Sequence, residues 1–146
     1  MVIKPNKVFI DSNYWIALYS YHDSLGEKAQ QIAELIRSEK LEIYISNYVI
    51  AEVLTILRLR SNPETVSLFI SHVQDVTRKI QILYSSAEDD GQTIHFFENT
   101  ACEKLSFVDV NHLIQMQKEG ISNLITFDKD LVKAAKVFKL KVVSAV

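Results

Sequence analysis

Short apolar runs punctuate the chain at Val8-Phe9-Ile10, Leu41-Glu42-Ile43-Tyr44-Ile45, Ile80 with Ile82 and Leu83, Leu124-Ile125-Thr126, and Leu140-Lys141-Val142-Val143. Short runs rich in β-branched residues and bounded by polar ones predict strands, and the unbroken Val8–Ile10 predicts one buried on both faces. Between them, apolar residues recur at the three-and-four spacing of helices with one buried face. A short helix is predicted from Tyr14 to about Tyr19. A second follows Ser24-Leu25-Gly26-Glu27, which reads as a capping box, with Leu25, Ala29, Ile32, Ala33 and Ile36 inward. A third starts from a Ser46-Asn47 cap and runs to about Arg58, burying Val49, Ile50, Val53, Leu54 and Leu57. Asn62-Pro63 opens a fourth with Val66, Phe69, Ile70 and Val73 inward, since proline suits a first helical turn.

Ala87 to about Cys102 predicts a fifth helix, whose early acids Glu88, Asp89 and Asp90 favour its dipole. The sixth begins at Asp109, turns Val110, Leu113, Ile114 and Gln117 to the core, and closes on Gly120. The seventh covers Asp128 to Phe138, with Leu131, Ala134, Ala135 and Phe138 inward. Strands alternating with helices in this way predict an α/β fold, a parallel sheet with helices on both faces. Neither repeats nor linkers interrupt the pattern, so residues 1–146 read as one domain.

Composition narrows the classes. A chain of 146 residues with 48% hydrophobic and 23% charged residues can bury one sizeable core. No apolar run approaches a membrane span, and the segment from Met1 lacks the apolar core of a signal peptide. The single cysteine, Cys102, excludes an internal disulfide and fits a reducing compartment, so a cytoplasmic protein is expected. The net charge of −2 argues against a nucleic-acid binder that works by charge alone, but leaves room for a local basic rim. With three glycines there is no phosphate-cradling loop, which excludes the common nucleotide-cofactor enzymes. The four histidines, His22, His72, His95 and His112, lack paired spacing for zinc and are expected at the surface or satisfied in the interior.

The candidate chemistry lies in acids at element junctions. Asp11 ends the first strand, Glu52 sits in the helix after the second, Asp109 starts the sixth helix, and Asp128 follows the fourth strand with Asp130 close behind. Strand carboxyl ends of a parallel sheet face one way, which brings Asp11 and Asp128 to one edge. The helices leaving that edge carry Glu52 and Asp109 toward it. Converging carboxylates repel unless cations intervene. Hard divalent ions such as Mg²⁺ resolve that cost, and they can activate water against a phosphodiester. Each acid also has a purely structural reading. Asp11 and Asp128 can cap the helices that follow them, Ser106-x-x-Asp109 is a capping box, and Glu52 can pair with a surface cation such as Arg58 or Lys28. On the crowding argument, Asp11→Asn relieves repulsion and leaves the fold as stable or more so.

Four motifs carry a family resemblance: Val8-Phe9-Ile10-Asp11-Ser12-Asn13, Ser46-Asn47-Tyr48-Val49-Ile50-Ala51-Glu52-Val53, Leu105-Ser106-Phe107-Val108-Asp109, and Leu124-Ile125-Thr126-Phe127-Asp128-Lys129-Asp130. In this order and spacing the chain resembles a PIN-domain ribonuclease, and in size the VapC-like toxins of toxin–antitoxin pairs. The resemblance spans Val8 to Val143. It implies a three-layer domain with a five-stranded parallel sheet in the order 3-2-1-4-5, and Mg²⁺- or Mn²⁺-dependent cleavage of RNA. Asp11, Glu52, Asp109 and Asp128 match the family's metal-binding acids, and Asn13 and Thr126 its supporting polar residues, with Asp130 beside them. The resemblance further implies a cognate antitoxin protein and a homodimer through the helices after the second strand, for which Tyr48, Leu59 and Phe69 are candidates. One departure stands out: small residues usually follow the third acid, whereas Val110-Asn111-His112 follows here.

Rival chemistries fail on single residues. A haloacid-dehalogenase-like phosphotransferase needs an acid where Asn13 stands, and a response-regulator receiver needs one where Tyr84-Ser85-Ser86 ends the third strand. The rival of another class is a PIN-like module that binds RNA or assembles without turnover. Arg58, Arg60, Lys104 and Lys129 lie in or beside the acid-bearing segments and could form a basic rim for phosphates. Weak, local attraction of that kind selects exposed single-stranded loops, so a loop in a structured transfer or ribosomal RNA is the expected target.

Overall fold

The computed structural model describes residues 6–20, 22–99 and 104–144. Five parallel strands, β1 (Lys7–Ile10), β2 (Glu42–Ser46), β3 (Gln81–Leu83), β4 (Asn123–Ile125) and β5 (Lys141–Val142), form one sheet in the order β3-β2-β1-β4-β5. The expected order therefore holds. Val8, Phe9, Ile10, Ile45, Leu124 and Ile125 are fully buried, which is why the central strands read as unbroken apolar runs. The edge strands β3 and β5 are short and half-exposed, the usual way of leaving little open backbone at a sheet edge.

Helices α1 (Ser12–Tyr19) and α2 (Gly26–Ser38) cross from β1 to β2, and α3 (Asn47–Arg60) and α4 (Pro63–Gln74) from β2 to β3. Both crossovers move the same way across the sheet, so right-handed connection puts these four helices on one face. The return through α5 (Ala87–Asn99) and α6 (Phe107–Glu119), then α7 (Lys129–Val137), covers the other face. Packing agrees: α1 lies on α2 and α3, α3 on α4, and α5 on α6.

The helix starts were legible, with one exception. Ser46, Asn62 and Ser106 cap α3, α4 and α6 through their side chains. The capping box expected at Ser24–Glu27 does not form: α2 starts after Leu25 without a side-chain cap, and Asp23 Oδ1 accepts the Leu25 amide at 2.8 Å instead. An aspartate that can bond two residues ahead outcompetes the serine for the turn. The fifth helix is described to Asn99; Cys102 lies outside the described residues.

Three burial expectations need correction. Phe69 is wholly buried, edge-on to Trp15 and Tyr19, and so belongs to the core rather than to a subunit surface, while Ile70 is exposed. Leu59 is exposed as expected, and Tyr48 is half-buried against Phe107. In α6, Gln117 is exposed, whereas Asn111, His112 and Gln115 are buried together with Val110, Leu113 and Met116. This helix is enclosed on nearly every side.

Every helix-to-strand turn ends on a left-handed residue: Lys40 before β2 (φ 51°), Lys79 before β3 (φ 53°), Gly120 before β4 (φ 66°) and Lys139 before β5 (φ 57°). After three of them the next amide reaches back to a carbonyl five residues earlier, Leu41 to Ile36, Ile121 to Met116 and Leu140 to Ala135. These are Schellman closures, and the residues that close them, Leu41, Ile121 and Leu140, pack into or against the core.

The helix pair α5–α6 is joined by a buried acid. Asp89 Oδ2 accepts the Ser86 amide at 2.9 Å, the Asp89 amide donates to Ser86 Oγ, and Lys118 Nζ reaches Asp89 Oδ1 at 3.1 Å. The Ser86 amide, working against burial and helped by Lys118, holds the Asp89 carboxyl below its ordinary range. A depressed carboxyl pKa stabilises the fold above the unfolded value of about 4 and loses that contribution as pH falls through the folded one. Asp89→Ala is therefore expected to cost about 2 kcal/mol in urea unfolding at pH 7. Its difference from the wild type should shrink below about pH 4; an unchanged gap down to pH 3 would deny the ionised role.

Candidate active site

Because β1 is the middle strand, its carboxyl end places Asp11 at the centre of one sheet edge. Asp11 is 4% exposed and caps α1. Its Oδ1 accepts the Ser12 amide at 2.7 Å and faces His112 Nε2 at 3.2 Å, while Oδ2 accepts from Thr126 Oγ1 at 2.8 Å. Thr126 Oγ1 in turn accepts from Asn13 Nδ2 at 3.2 Å and from the Asp128 amide at 3.1 Å. Asn13 Oδ1 accepts the Phe127 amide at 3.1 Å. Asn13 and Thr126 thus tie the end of β4 to the start of α1 and to Asp11. Burial pushes the Asp11 carboxyl up, but bonds from His112, Thr126 and the Ser12 amide outweigh it, and the net shift is downward. Asp11 is a buried, ionised carboxylate.

The other acids arrive on helices leaving the same edge. Glu52, half-buried in α3, accepts Ser12 Oγ at 2.7 Å. It shares a cavity of about 510 Å³ with Ser12, Ile16, Tyr48, Ile56 and Val108. Asp109 Oδ2 accepts the Ser106 amide at 3.0 Å and completes the capping box of α6. Burial, opposed by that amide, and the charge of Asp11 leave the Asp109 carboxyl above its ordinary range. Asp128 caps α7, Oδ1 accepting the Asp130 amide at 2.8 Å and the Leu131 amide at 3.2 Å. Asp130 contributes that backbone amide. The capping and site readings are therefore not alternatives: one oxygen caps, and among the described residues the second oxygen of Asp109 and of Asp128 accepts no hydrogen bond.

Among the described residues no three His, Cys, Asp or Glu side chains stand close enough to enclose an ion. What the edge offers is an ionised carboxylate with a second one near enough to feel its charge. Mg²⁺ keeps several waters and binds through one or two carboxylates. With one oxygen of Asp109 left without a donor and no third ligand close by among the described residues, the donor set fits a hydrated hard cation better than a closed cage.

The cations divide. Lys129 is the first residue of α7, beside Asp128, and Lys104 precedes the α6 cap; both are exposed. Arg58 and Arg60 are exposed in the last turn of α3, the helix end remote from the edge, roughly 9 Å or more beyond Glu52 along the axis. Arg60 lines a separate cavity of about 570 Å³ with Ser20, Asp23, Asn62 and Thr65.

Three contributors were not singled out in the sequence. Ser12 bridges Asp11 to Glu52, and His112 reaches Asp11 from α6. Asp90 accepts Tyr48 Oη at 2.9 Å and Ser85 Oγ at 2.7 Å, extending the polar edge to the end of β3. The available signal for His112 was its place three residues after Asp109, one turn along the same helix face.

The PIN domain is the family that matches, over residues 8–137. The 23S rRNA-specific endonuclease VapC20 of Mycobacterium tuberculosis is 27% identical over 131 residues, covering 89% of this chain and 95% of the relative. The crystal structure of that Mycobacterium tuberculosis VapC20, described as a sarcin-ricin loop cleaving toxin, superposes with a TM-score of 0.75 at 23% identity, covering 87% of this chain and 94% of the other. VapBC2 from Rickettsia felis, solved with a DNA fragment from its promoter, superposes with a TM-score of 0.64 at 16% identity, covering 94% and 97%.

The donors around Asp11 reverse the expectation for its asparagine. Thr126 Oγ1 already accepts two hydrogen bonds, so its one proton must go to residue 11, and the Ser12 amide can only donate. An asparagine amide group must meet one of these donors whichever way it is turned. Asp11→Asn should lose about 2 kcal/mol at neutral pH, read by urea unfolding. Stability equal to or above the wild type would restore the crowding argument.

Proposed function

The chain belongs to the PIN domain family, and from that premise we propose that it is a divalent-metal-dependent endoribonuclease, the toxin of a type II toxin–antitoxin pair. The observation that carries this reading is the sheet edge itself, where buried, ionised Asp11 is flanked by Glu52, Asp109 and Asp128 on helices leaving from the same side. The 27% identity to a 23S rRNA-specific endonuclease over 131 residues supports RNA as substrate and a ribosomal RNA loop as the first to try. The likeness to toxin and VapBC structures supports an antitoxin protein as partner.

In this reading Asp11 and Asp109 hold the ion, Mg²⁺ or Mn²⁺, and Glu52 and Asp128 complete the acidic set. A divalent ion held there would supply an activated water and charge stabilisation for the leaving oxygen of the phosphodiester. Thr126 and the Ser12 amide keep Asp11 ionised and in one orientation. Glu52, bonded to Ser12 Oγ through one oxygen and lining a cavity, would take the proton of the attacking water. Lys104 and Lys129 steer the RNA backbone beside the acids, and Arg58 and Arg60 extend contact along α3. No helix among the described residues is long and apolar enough to cross a membrane, in keeping with a cytoplasmic protein. A homodimer would bury apolar side chains such as the exposed Leu59 and Leu68 on α3 and α4.

Cleavage of a stem-loop RNA should require Mg²⁺ or Mn²⁺ and stop with chelator, and millimolar Mn²⁺ should raise the melting temperature. In Asp109→Asn the side-chain oxygen still accepts the Ser106 amide, so the cap survives while the charge beside Asp11 goes. That variant should melt without metal at or above the wild-type temperature, lose the Mn²⁺-induced rise, and cut about 100-fold or more slowly. RNA binding without metal-dependent cutting in the wild type would favour the binding-module alternative.

A further inference from the structure

We infer that His112 is a positioning residue for the metal centre: its Nε2–H donates to Asp11 Oδ1 and holds that carboxylate in the orientation that takes the ion. The inference rests on the metal-dependent reading above and adds to it a residue at the place where small side chains were expected.

The imidazole is wholly buried, packed on Phe9 with ring centroids 4.8 Å apart, and its Nε2 stands 3.2 Å from Asp11 Oδ1. Its other nitrogen, Nδ1, is also buried and has no hydrogen-bond partner. That orphan decides the tautomer. A proton on Nδ1 would leave a buried donor unpaired and turn the Nε2 lone pair against a carboxylate oxygen. With the proton on Nε2 the close contact becomes a hydrogen bond, and only an acceptor lone pair goes unused.

The same orphan argues against His112 as a metal ligand. Ligation through Nε2 would force the proton onto Nδ1, and ligating histidines donate their second N–H to a carboxylate, carbonyl or water. Nothing among the described residues accepts it here. His112 therefore acts through Asp11. The carboxylate is clamped at both oxygens, Oδ1 by Ser12 and His112 and Oδ2 by Thr126, so it cannot swing as the ion or substrate arrives. The enclosure of α6 fixes the imidazole itself, and Asp109, one turn earlier, shares its helix.

The tautomer is read directly from long-range ¹H–¹⁵N correlations of the histidine ring in the labelled full chain, where the proton is expected on Nε2. Two variants test the consequence. His112→Leu keeps apolar bulk and loses the donor, whereas His112→Gln offers an amide N–H at similar reach. Calorimetry with Mn²⁺ should show binding about 10–100-fold weaker in the leucine variant and largely recovered in the glutamine variant. Affinity for a stem-loop RNA in chelator should stay unchanged while kcat falls and KM holds. A proton on Nδ1, or leucine-variant Mn²⁺ binding as tight as wild type or tighter, overturns the inference. Should the leucine variant fail to fold, a folded glutamine variant that binds Mn²⁺ tenfold weaker than wild type overturns it too. Wild-type protein that takes up no Mn²⁺ at all would instead sink the metal-dependent reading, a result separable because the tautomer still reports the His112–Asp11 bond.

Discussion

The molecule is arranged around a charge kept out of water. Burying a carboxylate is unfavourable by several kcal/mol unless donors replace its hydration. For Asp11 those donors come from three segments far apart in sequence: the first amide of α1, the hydroxyl after β4, and the imidazole of α6. The backbone ladder sets β1 against β4, but hydrophobic burial alone would tolerate small slips of α6 over the sheet. Hydrogen bonds to one carboxylate do not, because each donor has a narrow range of distance and direction. The charge fixes relative positions that apolar packing leaves loose, and the same atoms form the candidate centre.

Helix capping and the acidic edge are consequences of one geometry. In a parallel sheet the helix that follows each strand starts where the strand ends, so its unpaired amides and positive dipole end point at the crevice. Asp11, Asp109 and Asp128 each accept from such amides, or from the capping serine's own. A cap immobilises the side chain and fixes its direction at the crevice. The fold thereby delivers rigid carboxylates to one edge.

Much of this was legible in the chain. Apolar runs and helical spacing located the strands and helices to within a residue or two, and four motifs set the strand order. The acids announced themselves by standing at junctions. What stayed hidden has a common cause: periodicity assigns polar residues to the outside. Helix α6 breaks that rule, since His112, Asn111 and Gln115 are buried and find partners just past the ends of β1 and β3 and on α5 that no spacing reveals. On α4 the spacing could not tell which of the adjacent Phe69 and Ile70 the core would take; the larger ring went in, between Trp15 and Tyr19, and Ile70 stayed exposed. Asp23 displaced the Ser24 box because two plausible caps lay side by side, and only backbone geometry chose between them.

The opposite edge of the sheet obeys a looser rule. Lys40, Lys79, Gly120 and Lys139 all hold the left-handed conformation that turns a helix into the next strand, and the presence of a glycine among lysines shows that backbone shape alone is required there. A side chain in that region carries a strain of about 1–2 kcal/mol that glycine avoids, offset by glycine's greater freedom in the unfolded chain. The two residues are nearly exchangeable, so these turns can drift one at a time over evolutionary distance. Around Asp11 each substitution disturbs a donor that a buried carboxylate needs. The molecule thus has a permissive pole and a constrained pole, and sequence divergence among proteins sharing this architecture should accumulate at the first.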